Sequence, residues 1–113
     1  MTTRFYRVID DEGHSNSPVA WADRKLFVWV PNTGEWHRNG PLEIDFTFDG
    51  EFTYVELTPE QAVEQMHSAR PADERVVGWL MDRYRAQSPE DRRSSTDFGL
   101  TSPEDTAMPR DSA

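Results

Sequence analysis

The chain has 113 residues, of which 21 are acidic and 12 basic, giving a formal charge of −9 and a pI of about 4.7. It has no cysteine, which excludes disulfide staples, thiol catalysis and cysteine-ligated zinc. One domain is expected at this length, and although only 35% of residues are apolar, six Phe, four Trp and three Tyr can supply a modest aromatic core.

Met1-Thr2-Thr3-Arg4 lacks the apolar stretch of a secretory signal, and the longest apolar run, residues 26–30, is far too short to span a membrane. Together with the absence of cysteine, this predicts a cytoplasmic protein with no membrane association. Arginine outnumbers lysine 11 to 1, as GC-rich codon usage favours, and points to an actinobacterial or phage origin.

Residues 5–9 read as a strand, 10–18 as a polar loop, and 26–30 as a second strand that is apolar on both faces. Pro31-Asn32-Thr33-Gly34 has the residue types of a turn, after which 35–38 return as a third strand. A four-residue loop there sets Trp29 opposite Trp36 and Phe27 opposite Arg38. In residues 42–48, Leu42, Ile44, Phe46 and Phe48 alternate with Glu43, Asp45 and Thr47, and Asp49-Gly50 follows, a strong hairpin signal. A two-residue turn pairs Phe46 with Thr53, Ile44 with Val55 and Leu42 with Leu57, giving one apolar face.

Thr58-Pro59-Glu60-Gln61 is a capping box that opens a helix running to about residue 69. After Pro71 a second helix carries the stripe Val76, Val77, Leu80, Met81 and Tyr84 and ends near Gln87. The domain is therefore expected to span 1–87: an α+β fold with an antiparallel sheet of four to five strands packed by two C-terminal helices. Residues 88–113 lack periodicity and hold only Phe98, Leu100 and Met108 as large apolar side chains, so they read as a disordered, Ser/Pro/Asp-rich acidic tail. The tail repeats Ser-Pro-Glu-Asp at 88–91 and 102–105, and Phe98 and Leu100 are its candidate anchors for a partner.

The expected hairpin leaves Glu43, Asp45, Phe52, Tyr54 and Glu56 on its reverse face, with Glu43 opposite Glu56. Like charges directly opposed in a sheet are destabilising, so their presence suggests an acidic–aromatic surface for a basic protein partner. The same carboxylates raise the alternative of a hard-cation site or a carboxylate-based enzyme, but they lack the spacing of a Ca²⁺ loop. His14, His37 and His67 show no zinc-ligand spacing, there is no GxSxG elbow, and no glycine-rich phosphate loop is present. Neither a metal, a cofactor nor a catalytic residue is assigned.

Trp79 lies off the apolar stripe of the second helix, between Arg75 at i−4 and Arg83 at i+4. This Arg–Trp–Arg ridge is the candidate for a nucleic-acid-associated regulator, although the net charge disfavours phosphate partners. The preferred reading packs Trp79 under a loop with the arginine stems over it. The expectation as a whole is a small, acidic, non-enzymatic binding or inhibitor module, comparable in class to immunity proteins and phage inhibitors.

Overall fold

The computed structural model describes residues 3–10, 12, 13 and 17–100. Six strands form one antiparallel sheet: β1 (Arg4–Ile9), β2 (Val19–Ala22), β3 (Lys25–Val30), β4 (Glu35–Arg38), β5 (Thr53–Leu57) and β6 (Arg92–Arg93), in spatial order β5-β1-β2-β3-β4-β6. Helices α1 (Gly40–Ile44), α2 (Pro59–Ser68) and α3 (Glu74–Arg85) pack against it. The fold is α+β, with six strands where four or five were expected. Among the described residues no helix is long and apolar enough to cross a membrane.

The β3–β4 hairpin has the register its turn residues dictate, with Trp29 opposite Trp36 and Phe27 opposite Arg38. Gly34 closes the turn at φ 70°, and its N–H donates to Val30 O at 2.9 Å. Strand β2 gave no comparable signal. It joins β3 through the two-residue turn Asp23-Arg24, with φ of 54° and 63°. Both residues adopt the left-handed conformation that a right-twisted hairpin needs, without the usual glycine.

The structure replaces the hairpin expected at residues 42–57. Asn39 caps α1, its side chain accepting from Leu42 N at 3.0 Å, and Pro41 occupies the first turn. The chain continues as a π-helical turn, Asp45–Asp49, that ends at Gly50 with φ 64°. Gly50 thus terminates a helix instead of turning a hairpin. Leu42 and Phe46, four residues apart, pack together on the sheet, whereas Ile44 and Phe48 point to solvent. A period-two pattern and an i, i+4 pair coexist in this segment, and the cap at Asn39 decides in favour of the helix. Strand β5 consequently pairs with β1, so Glu56 lies opposite Tyr6 and not opposite Glu43.

One sheet face carries Phe5, Ala20, Phe27, Trp29 and Trp36, covered by Ala62 and Met66 of α2 and by Phe98 and Leu100. The capping box at Thr58 forms as expected, with reciprocal bonds of 2.9 and 3.1 Å to Gln61. The other face has two clusters. Val8, Val19 and Leu26 lie under Leu42 and Phe46, while Val30 lies under Met81 and Tyr84 of α3. Val77 is non-helical, with φ −118°, and Val76 before it is exposed, so the stripe assigned to this helix loses its first residue.

Residues 88–100 are part of the packed unit, contrary to their reading as tail. After a 3-10 turn at Pro89–Asp91, β6 extends the sheet and a second 3-10 turn, Ser95–Phe98, returns the chain to the core. Phe98 is only 7% exposed, with ring centroids 5.4 Å from Phe27, 5.5 Å from Trp36 and 6.4 Å from Phe5. Trp36 Nε1 donates to Ser95 Oγ at 3.1 Å. A segment too poor in apolar residues to fold alone is ordered by three rings already in place. Residues 101–113, including the second Ser-Pro-Glu-Asp copy and Met108, lie outside the described residues, as does His14.

Candidate functional site

The five residues assigned to an acidic–aromatic face do not share one. Glu43 projects from α1 to Arg38, accepting from Nε and Nη2 at 2.9 Å each, and takes Leu26 N at 3.1 Å. The Arg38 hydrogen bonds, more than offsetting desolvation, hold its carboxyl below the ordinary range. Its role is to fasten α1 to the end of β4.

Asp45 is 8% exposed, and its carboxylate accepts from Tyr54 Oη at 2.7 Å, Glu51 N at 2.9 Å and Phe52 N at 3.2 Å. Burial raises the Asp45 pKa, but these three donors outweigh it and leave the carboxyl below its usual value. Desolvation and the same carboxylate push the Tyr54 phenol upward. Asp45 therefore latches the π-helical turn against the start of β5. Tyr54 and Phe52 are half-buried against Phe46 and its neighbours, so they belong to packing. Of the five, Glu56 is the one exposed side chain, and it makes no ion pair among the described residues.

What the latch displays is a different surface. Residues 39–66 contain seven acids and no lysine or arginine. With Glu43 and Asp45 used internally, Asp49, Glu51, Glu56, Glu60 and Glu64 remain exposed. In their midst Phe48 is 83% exposed, accompanied by exposed Ile44 and Val55. Strand β5 is an edge of the sheet, with one side of its backbone unpaired to any other strand. Sequence alone points to this surface through the absence of basic residues over 28 positions, not through a hairpin register.

The arginine–tryptophan ridge is only partly assembled. Arg75 is held by Asp73, with bonds of 3.1 and 3.0 Å, and precedes the irregularity at Val77. Trp79 is 62% exposed, so it is not packed beneath a loop. With Arg83 it borders a cleft of about 560 Å³ closed on the other side by Arg38 and Pro41. Phe98 and Leu100, the proposed partner anchors, are buried inside their own domain.

His37, which has no metal-ligand spacing in the sequence, has a structural role in the fold. It is fully buried on β4, its ring stacked 4.8 Å from Tyr84, with Nδ1 2.9 Å from Gln87 Oε1 and Nε2 2.7 Å from Thr33 Oγ1. Gln87 Nε2 donates to Arg38 O at 2.8 Å, which turns its Oε1 toward His37 and assigns the proton to Nδ1. Desolvation lowers the His37 pKa, so the neutral ring ties β4 to the end of α3. Among the described residues, no three His, Asp or Glu side chains are grouped to hold a metal ion. Comparison of the chain with protein-family models, curated proteins and solved structures found no match.

Proposed function

We propose that this chain is a small non-enzymatic protein-binding module, of the inhibitor or immunity type, that engages a basic protein surface through the acid-rich edge around β5. The observation that carries this reading is Phe48, 83% exposed in a stretch without positive charge. A large aromatic displayed this way is suited to anchor an interface, with the surrounding carboxylates as its polar rim. The carboxylates attract lysine and arginine side chains and speed encounter at low ionic strength. The open side of β5 adds backbone donors and acceptors for an incoming strand. Glu56 stays in the interface first assigned to it, while Asp45, Tyr54, Glu43 and Phe52 support it from beneath.

The test is affinity capture from a bacterial lysate at about 0.05 and 0.5 M salt, straddling the range over which charge screening becomes strong. The bait is the full chain, its Phe48→Ala variant, and an E56Q/E60Q double variant. A partner held by the wild type at low salt, released at high salt and lost from both variants is expected. No partner at either salt, or partners indifferent to both variants, would overturn the reading. Exposure of Trp79 beside Arg83 favours a second reading, stacking of a nucleic-acid strand on the helix, against which the net charge of −9 weighs. A mobility shift at micromolar protein and low salt, abolished by Trp79→Ala, would select it.

A further inference from the structure

Among the described residues, two buried side-chain N–H donors have no acceptor: Arg7 Nε and Trp29 Nε1. Leaving a buried donor unmade is expensive, and native structures contain few such groups. These two are neighbours in the sheet. Tyr6 pairs with Val19 and Val19 with Val28, so by continuation of both registers Arg7 and Trp29 flank Pro18 from either side. Neighbouring strands lie roughly 4.8 Å apart, which places the two residues on one face about 10 Å from each other. Pro18 between them is fully buried and presents only its ring.

Both residues line one cleft of about 630 Å³, within the size range of small-molecule sites. The cleft lies at the end of the sheet, beneath the linker that carries the chain from α2 to α3, with Ala69 and Arg70 in its wall. Asn32 holds that linker in place, accepting from Ala72 N at 2.8 Å and donating to Ala72 O at 2.9 Å. Among the described residues, the charged side chains in the lining are Arg7 and Arg70, with no carboxylate. Neither arginine makes an ion pair among the described residues. In a chain of net charge −9, an arginine-lined cleft without a counter-charge is out of keeping with the rest of the surface. The remaining wall mixes polar Ser17, Asn32, Gln65 and Ser68 with apolar residues that include Leu80 and Met81.

We infer that this cleft is a binding site for a small organic carboxylate, whose oxygens accept from Trp29 Nε1 and Arg7 Nε on one side of the sheet's end while its apolar part reaches round that end toward Leu80 and Met81, which pack on the other side. A carboxylate is the chemistry that can accept from two N–H donors in one cleft and neutralise an arginine at once. Neither nitrogen is open to solvent, so binding requires the wall to move aside, and the linker at Ala69–Ala72, held by Asn32, is a part of that wall outside helix and strand. The site uses none of the residues of the acid-rich edge, so its fate is independent of the proposed function.

The experiment is a titration of the ¹⁵N-labelled full chain, following the Trp29 indole and Arg7 Nε–H resonances by NMR. The probes are 4-phenylbutyrate, the matched neutral 4-phenylbutyramide, and inorganic phosphate. The expected result is saturable movement of both resonances with the carboxylate, and binding about tenfold weaker or worse for the amide. Phosphate, which cannot use the apolar wall, should bind more weakly than the carboxylate. Arg7→Lys, which keeps the charge and removes the Nε–H, should weaken the carboxylate at least tenfold, with the other three indole resonances unchanged as the check on folding. Arg70→Gln, on the linker, serves as a second variant that leaves the core intact and should also weaken binding. The inference is overturned by equal response to acid and amide, by binding indifferent to both variants, or by no movement with any probe, which would leave a water-filled cleft only.

Discussion

Two phenylalanines mark the contrast between two regions of this molecule. Phe98, in a segment that looks too polar to fold, is enclosed by Phe5, Phe27 and Trp36. Phe48, in the most regularly alternating stretch of the chain, is 83% exposed. Local pattern assigns them the opposite places. What decides is whether a site has been prepared: the sheet leaves a ring-shaped vacancy beside Trp36, whereas Phe48 sits on a turn whose inward positions are already taken by Leu42 and Phe46. The difference suggests that one ring is there for stability and the other for contact.

Removing the first of these should have the largest effect. Truncation after Gln87 deletes β6, Phe98 and Leu100 together, and exposes the core face that they cover. Phe98→Ala alone should destabilise by about 3–5 kcal/mol, as for other buried aromatic truncations. Against a total of roughly 5–15 kcal/mol, the truncated chain is expected to lose cooperative unfolding altogether. Urea denaturation followed by tryptophan fluorescence measures both. A Gln87-terminated chain with a wild-type midpoint would show that 88–100 is an accessory after all.

Asp45 belongs to the second region, because it fixes the turn that displays Phe48. Asp45→Ala leaves two backbone N–H groups and the Tyr54 hydroxyl without their acceptor, a loss of about 3 kcal/mol when each group is only partly rescued by water. Asp45→Asn keeps an acceptor oxygen but sets an amide N–H against one donor, so it should fall between wild type and Ala. Denaturant midpoints of the three proteins check the order, and equal midpoints would remove the latch role.

How much of this was legible beforehand depended on whether one signal stood alone. The β3–β4 register could be read because turn residues and strand length agreed on it, and α2 because Thr58 and Gln61 cap each other. The Asp49-Gly50 pair misled because glycine at φ 64° ends a helix as readily as it turns a hairpin. Asn39-Gly40-Pro41, a cap followed by proline in the first turn, was the competing signal. Strand β2 was hidden because Asp23-Arg24 adopts two left-handed conformations without glycine. In the acid-rich stretch the acidity belongs to the segment as a whole, and two of the three chosen carboxylates, Glu43 and Asp45, turn inward, where only tertiary partners could place them. Arg7 and Trp29 gave no warning, since their cleft is assembled from residues scattered over β1, β3 and both long helices.

A smaller effect follows from His37. Its folded pKa lies below the ordinary value of 6.5, so the unfolded chain takes up the proton more readily than the folded one. Stability is therefore fully present above about 6.5 and declines as the pH falls from there toward the folded value. Asp45, also depressed, contributes stability that is lost only below the ordinary carboxylate value of 3.8, so the two windows separate. His37→Gln should flatten the slope between pH 7 and 5, the window that brackets the ordinary histidine value and extends below it. An unchanged slope in that variant would assign the pH dependence elsewhere.

Phe48→Ala should have the smallest effect on stability and so gives the contrast its sharpest form. Its ring rests on little, and substitutions at such sites commonly change stability by no more than about 0.5 kcal/mol. If it anchors a partner, the same change should weaken binding by about 2 kcal/mol or more, roughly thirtyfold. Measuring unfolding and partner affinity on the same variant separates the alternatives. Wild-type stability with lost binding places Phe48 in an interface. Lost stability with retained binding would make it a structural residue and remove the main support for the acid-rich edge as a docking surface. The paired measurement on Phe98→Ala should run the other way, with loss of folded protein before any specific loss of affinity, because that ring never reaches the surface.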